Sequence, residues 1–276
     1  MLSSPGTVAP SAQTDVAPPL VPHGGEIDHV EFLGLPFSLL AQAEVIRAIT
    51  SDCGAPYRYL VTPNAYHVVA AHEEPARLLP IYRAAWLSVC DSRILRALAR
   101  LDRLALPLVT GSDLVAALLG RLNAEGRPGL PQRILVVGPP HGAEAMLHAA
   151  YPNLIFEILP APSGLAHDAE LRHAVARACI SRRWDIALLC LGCPAQEMIA
   201  HKLAELGCQS GIALCVGASI DFLIGTRSRA PRWLQRLSLE WAYRLAQEPG
   251  RLWRRYLVES PKILRIFIAA RSPRWR

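Results

Sequence analysis

The sequence predicts an α/β protein: a Rossmann-like, mostly parallel sheet with helices on both faces, followed by a helical appendage rich in Arg and Trp. Three observations predict it. Short apolar runs of five to seven residues recur along the chain, which is how strands read when both faces of their sheet are covered. Helix-length amphipathic segments separate these runs, as the crossovers of a parallel sheet require. After Gly225 the runs stop, and four of the six Trp, at 233, 241, 253 and 275, are interleaved with arginines.

The elements follow in order. Residues 28–40 read as a short strand or hairpin, and a helix runs from about Ala41 to Ile49. Tyr57–Val61 is a strand, bounded by Thr62-Pro63-Asn64, which can start a helix. Trp86–Cys90 is a strand ending at Asp91. Ser112-Asp113 can cap a helix over Leu114–Leu122. Arg133–Val137 is a strand, then Gly138-Pro139-Pro140 and a helix over Ala143–Ala150. Leu154–Leu159 is a strand and His167–Arg183 is helical in pattern. Asp185–Leu191 is a strand, after which Gly192-Cys193-Pro194 opens a helix to Leu206. Ile212–Val216 is the last strand, ending at Gly217. Three regions result: a leader over 1–25, an α/β core over 26–225, and a basic amphipathic appendage over 226–276.

With 276 residues, 51% of them hydrophobic, the chain can bury a large core. No run reaches the roughly 18 apolar residues of a membrane-spanning helix. The leader is rich in Pro, Ser and Ala without Lys or Arg, so it reads as disordered and not as a secretory signal. Seven Cys, an odd number mostly inside apolar runs, fit reduced thiols in a cytosolic protein. Cys190 and Cys193 form a CxxC, but no second pair completes a four-ligand site, so the spacing predicts no metal. The net charge of +6 conceals an asymmetry: 226–276 carries +10 and the remainder −4. A basic block of this kind seeks phosphate, in nucleic acid, anionic lipid or a diphosphate substrate.

In a parallel sheet, ligands bind beyond the carboxyl ends of the strands. Asp91 stands there directly after a strand, as a general base or as a helix cap. Thr62 and Asn64 can hydrogen-bond a sugar or phosphate, or cap the next helix; His67 reads as a satisfied, partly buried histidine. Gln196 and Glu197 sit in the first turn of a helix facing the crevice, where free amides can also hold an anion. Asp221 can bind a hydroxyl or pair with a nearby Arg. Gly138–Gly142 lacks both the dinucleotide and the ATP glycine patterns. Arg244, Arg251 and Arg254 share a face if their helix continues past Pro249, and arginine forks suit diphosphate oxygens.

Together these motifs resemble the WecG/TagA/CpsF family of glycosyltransferases. In order they are TPNAYH at 62–67, Asp91, GSDL at 111–114, VVG at 136–138, YPNL at 151–154, LGCPAQE at 191–197, VGASIDFLIG at 216–225, RAPRW at 229–233, LEWAYRL at 239–245 and EPGRLWRRY at 248–256. The resemblance covers roughly residues 28–260.

It implies an inverting, β-linkage-forming hexosyltransferase that needs no metal or other cofactor. The implied partners are a UDP-sugar donor, a polyprenyl-diphosphate-linked sugar acceptor and the inner face of the cytoplasmic membrane, where the protein would be peripheral. The implied pathway is bacterial surface or exopolysaccharide biosynthesis. Carried over by position, Asp91 would be the base and Thr62 and Gln196 would line the site. Arg244, Arg251 and Arg254 would close over the site and hold diphosphate. A metal-free transferase must neutralise its departing nucleotide with cations or amides, so the appendage would complete the site as it docks on the membrane. Two positions depart from the family pattern. Ser92-Arg93 follows Asp91 where Gly is usual, and Leu108 stands where Arg is usual, with Arg93 as the candidate replacement. N-acetylmannosamine-type and glucosyl donors are both left open, as is a homo-oligomer. The rival classes are a nucleic-acid-binding protein using the basic tail, a nicotinamide oxidoreductase and a membrane scaffold. No nucleic-acid motif supports the first, the missing glycine fingerprint opposes the second, and the third would tolerate Asp91→Asn.

Overall fold

The structure is a computed structural model that describes residues 27–51, 56–126, 130–231, 233–234 and 239–271. The leader, Cys53 and Trp275 lie outside the described residues, as does the side chain of Arg251.

The chain opens with an antiparallel hairpin, β1 (His29–Phe32) and β2 (Leu35–Ser38). Its two-residue turn, Leu33-Gly34, has φ of 50° and 76°, the left-handed pair whose twist matches that of the strands. Helix α1 (Gln42–Ser51) leads into the main sheet. Its strands are β3 (Arg58–Val61), β4 (Leu87–Ser88), β5 (Arg133–Val137), β6 (Ile155–Leu159), β7 (Ile186–Leu189) and β8 (Ile212–Cys215). All pairings are parallel, in the order β4-β3-β8-β7-β5-β6. The predicted strand at Trp86–Cys90 is shorter than expected, although a bridge between Cys90 and Leu108 extends that edge.

Between the strands run α2 (Ala65–Glu73), α3 (Pro75–Arg83), α4 (Arg93–Leu101), α5 (Gly111–Glu125), α6 (Ala143–Ala150), α7 (Ala169–Ile180), α8 (Ala195–Glu205) and α9 (Ser219–Leu223). Helix α5 begins earlier than its sequence signals suggest. Thr110 is the N-cap, its hydroxyl accepting from Asp113 N, so Asp113 lies in the first turn and not at the cap.

Every residue of β3, β7 and β8 is buried, as are the last four of β5, and the side chains of these strands divide by parity into two cores. Tyr59, Val61, Val137, Leu189 and Cys215 join α2, α3, α4, α7 and α8 on one face. Leu60, Val136, Leu188 and Leu214 join α1, α5, α6 and α9 on the other. The edge strand β6 leaves Ile155 exposed.

The C-terminal segment comprises α10 (Glu240–Gln247), α11 (Pro249–Trp253), a π-helical stretch (Arg254–Glu259) and α12 (Lys262–Ala270). It is joined to the first face: Ile263 and Phe267 of α12 belong to that core, and Phe267 meets Phe32 of the hairpin edge-on. Ion pairs add to the attachment, with Arg229 forked onto Asp113 at 2.6 and 2.9 Å, Lys262 on Glu73, and Arg271 on Asp102. Helix α10 does not continue past Pro249. Glu248 before it is non-helical (φ −132°, ψ 60°), as the clash of a proline ring with the preceding residue demands.

Candidate active site

A cavity of about 570 Å³ lies beyond the carboxyl ends of β3, β4, β7 and β8 and is covered by α10, the π-helical stretch and α12. Ligands are expected there in a parallel sheet. Asp91 lines it, just after β4, with its own N–H bound to Pro63 O. Burial, then the carboxylate of Glu240 on α10, push the Asp91 pKa up to about 7, against the pull of Arg244, the Gly111 N–H and Arg255. Gly111, which supplies this N–H, starts α5 close against the β8–α9 turn. A Cβ at Gly111 would meet Ser219 Oγ at 3.1 Å and Val216 O at 3.3 Å.

The remaining predicted residues divide. Thr62 and Asn64 line the cavity. Thr62 is buried and its hydroxyl donates to Cys215 O at 2.8 Å, so only its lone pairs are left for a ligand. Asn64 caps α2 through Oδ1, accepting from Tyr66 N at 3.0 Å. Gln196 reaches the cavity wall, but both ends of its amide are engaged: Oε1 accepts from Gly217 N and Nε2 donates to Glu197 Oε1, each at 2.8 Å. Asp221 lines the cavity and pairs with Arg227 at 3.1 Å; Arg227 also holds Glu248. Arg244 lines the cavity with its guanidinium over the Phe222 ring.

Two expectations need correction. Glu197 does not face the crevice. It is 0% exposed and absent from the cavity wall, because on α8 it follows Gln196 by 100° of helical rotation and turns under the sheet end. Arg254 does not face the crevice either: its side chain is 75% exposed and pairs with Glu259. The break at Pro249 and the wider π-helical turn shift the phase. Arg255 enters the cavity instead, stacked on Tyr66 with 4.6 Å from its guanidinium carbon to the ring centre. Arg255 Nε is buried without an acceptor among the described residues. Sequence reasoning missed Arg255, Glu240 and Trp241, all cavity-lining; Pro249 was the signal that the arginine spacing would not hold.

At the cavity wall His67 pairs with Glu197 buried behind it, Nε2 to Oε1 at 3.2 Å. Burial raises the Glu197 pKa, but bonds from His67 and Gln196 more than reverse this and hold it below the usual range. Cys193 lies within reach of both, making these three the one potential metal-ligating group among the described residues. The ring is committed, however. Asn64 N donates to Nδ1 at 3.3 Å, which puts the ring proton on Nε2, 3.2 Å from Glu197 Oε1, and leaves no lone pair there. Cys193 and Cys190 are both free thiols, turned toward Tyr82 and Leu188 O respectively. The group therefore reads as a brace that joins α2 to the segment from β7 into α8. Glu197→Ala is expected to cost about 3 kcal/mol in urea unfolding at pH 7, the usual loss when one member of a buried pair is removed. Because the Glu197 pKa is depressed, this contribution exists above the ordinary glutamate value and fades as pH falls through the native one. The gap between wild type and variant narrows in acid.

The Gly138–Gly142 turn lies after β5 and away from the cavity wall; Gly138 adopts φ 70° beneath Leu191. Arg93 stands on the cavity wall, and Leu108 is the bridge partner of Cys90, next to Asp91. In the C-terminal segment Arg227, Arg229, Arg254, Lys262 and Arg271 each face a carboxylate, which uses charge that the nucleic-acid alternative needs.

Comparison with known proteins agrees with the family resemblance. An N-acetylglucosaminyldiphosphoundecaprenol N-acetyl-beta-D-mannosaminyltransferase of Bacillus subtilis (strain 168) is 31% identical over 153 residues, covering 54% of this chain and 55% of that protein. A protein of the same name from Bacillus spizizenii (strain ATCC 23059 / NRRL B-14472 / W23) is 42% identical over 73 residues, covering 26% and 28%. The chain thus spans about half the length of the first relative and less of the second. The profile of the glycosyl transferase WecG/TagA/CpsF family matches residues 30–276, and the chain belongs to that family.

Proposed function

We propose that the protein is an inverting glycosyltransferase that moves a hexosyl residue from a UDP-sugar to a polyprenyl-diphosphate-linked sugar, in the assembly of a bacterial surface polysaccharide. One observation carries the reading: a carboxyl group with a pKa near 7 shares a 570 Å³ cavity with two ring-stacked arginines. Inverting transfer needs both. Asp91 takes the proton of the acceptor hydroxyl as its oxygen bonds to the anomeric carbon. The bond from that carbon to the diphosphate breaks on the opposite face, and the departing oxygen keeps the electron pair. Arg244 and Arg255 neutralise the charge left on the diphosphate. A base is most effective when its pKa lies near the working pH. With two guanidinium groups in this role the reaction is proposed to run without a metal.

Several features support a lipid-linked acceptor and a peripheral position on the inner face of the cytoplasmic membrane. The relatives' names specify a diphosphoundecaprenol carrier. Helix α12 is apolar on both sides, burying Ile263 and Phe267 and exposing Leu264 and Ile268. Leu257 and Leu264 are exposed at the cavity itself, where an isoprenoid chain can leave without crossing polar surface. No helix among the described residues is long and apolar enough to cross a membrane. The relatives name an N-acetylmannosaminyl donor; Leu108, with Arg93 as the nearby cation, keeps a glucosyl donor in the proposal.

The test is a screen of UDP-sugars against short-chain lipid-diphosphate sugars, with wild type and Asp91→Asn side by side. Transfer by the wild type alone supports the reading, and no transfer from any UDP-sugar overturns it. A second measurement addresses the base. Glu240 raises the Asp91 pKa by like charge, so Glu240→Gln is expected to move the basic-going rise of kcat/KM to lower pH. An unmoved profile places Glu240 outside the field of the base.

A further inference from the structure

A row of arginines on α4 leads away from this chemistry, beginning at Arg93 on the cavity wall. Arg93, Arg96 and Arg100 recur at spacings of three and four, so they share one helix face, and Arg103 follows in the turn. The opposite face, Leu95, Leu98 and Ala99, is buried. Among the described residues no carboxylate lies within ion-pair distance of these four arginines. Burial and the like charges of Arg100 and Arg93 hold Arg96 below the ordinary arginine range. Arg100 and Arg103 also line an open surface depression of about 340 Å³. Folded proteins normally intersperse both signs on their surface; an unrelieved row repels itself until an anionic partner meets it.

The row has apolar company. Ile94 and Leu101 of α4 are exposed, Leu101 to 60%. The end of α12 is fixed to the end of α4, Arg271 donating to Asp102 Oδ1 and to Leu101 O, each at 2.7 Å. This places exposed Leu264 and Ile268 on the neighbouring helix. Arg93 and Ile94 line the active-site cavity together with Leu257 and Leu264, so the basic row starts at the cavity mouth.

We propose that α4 is a second membrane-contact element, adjoining α12 of the C-terminal segment. Its arginine row seats on the phosphate headgroups of an anionic bilayer, while Ile94, Leu101, Leu264 and Ile268 enter the interfacial layer. The cavity mouth at Arg93 then opens onto the bilayer. The aliphatic side chains distinguish this partner from nucleic acid, which would satisfy the arginines and leave the apolar surface in water. The purpose of the contact rests on the proposed lipid-linked acceptor, but its test does not.

The test is partition of the full chain onto vesicles of equimolar phosphatidylglycerol and phosphatidylcholine, and onto phosphatidylcholine alone. The variant Arg96→Gln/Arg100→Gln/Arg103→Gln is expected to bind the anionic vesicles about a hundredfold more weakly, at roughly fivefold per charge near the surface. The corresponding Lys triple stays close to wild type, and added salt weakens the wild type. If the Gln triple melts early, the exposed single variant Arg100→Gln carries the same test at about fivefold. Anionic-vesicle binding unchanged in the Gln variants overturns the inference. So does an equal loss on neutral vesicles, or a loss confined to binding of a DNA duplex. A wild type that partitions but transfers no sugar leaves this inference standing and counts against the proposed function.

Discussion

Asp91→Asn is expected to lower turnover by about 10²–10⁴-fold, the usual contribution of a general base, with little change in KM. Asparagine keeps the size of the side chain and can still accept from the Gly111 N–H, but it cannot take a proton. The same substitution is expected to stabilise the fold at alkaline pH. The native pKa of Asp91, about 7, lies well above its ordinary 3.8. A carboxyl group with a raised pKa contributes its full stability below the ordinary value and loses it as pH rises through the native one. The ionised side chain is therefore a burden above pH 7, worth about 2–4 kcal/mol after allowance for the water that reaches it. Urea unfolding of both proteins at pH 3.5 and pH 8 reads the difference: near zero in acid, favouring Asn in base. Equal stability at both pH values would mean a carboxylate no more perturbed than one in water, which removes the reason for naming it the base.

Arg255→Ala is expected to lower kcat/KM by about 10²–10³-fold, the scale of losing one preorganised group that meets developing charge. Arg254→Ala is expected to stay within about threefold, because its guanidinium lies in solvent beside Glu259. The contrast is decisive because the two residues are neighbours in sequence and identical in type. Arg255 is held over Tyr66, so its position is fixed before a ligand arrives and little rotamer entropy is lost on binding. Its removal also withdraws a downward pull on the Asp91 pKa, so the rise of kcat/KM should move to higher pH in the variant. Steady-state assays of both alanine variants across pH 5–9 test both points. A larger loss at Arg254 would reverse the assignment.

Much of the fold could be read along the chain. Arg133–Val137 and Ala143–Ala150 match their predicted bounds, since a run of β-branched residues and an alanine-rich helix leave few local alternatives. The hairpin at 29–38 follows from one Leu-Gly turn. The edge strand at 87–88 fell short because pairing length depends on a neighbour, here only β3 on one side and a single bridge on the other.

By itself the sequence determined a parallel sheet covered on both faces, a carboxylate at the lip of that sheet and a strongly basic C-terminal segment. Each is written in local pattern: continuous apolar runs, a residue type directly after a run, a count of charges. Only the tertiary structure decided that Glu197 braces the floor of the cavity while Gln196 reaches its wall, and that Arg255 turns inward where Arg254 turns out. It also revealed a basic row on α4, without a carboxylate partner among the described residues, inside a core whose summed charge is negative. Such choices depend on helix phase and on which surface a neighbouring element covers. A break at Pro249 or a wider turn after Trp253 rotates every later side chain, and net charge carries no record of which face its members occupy.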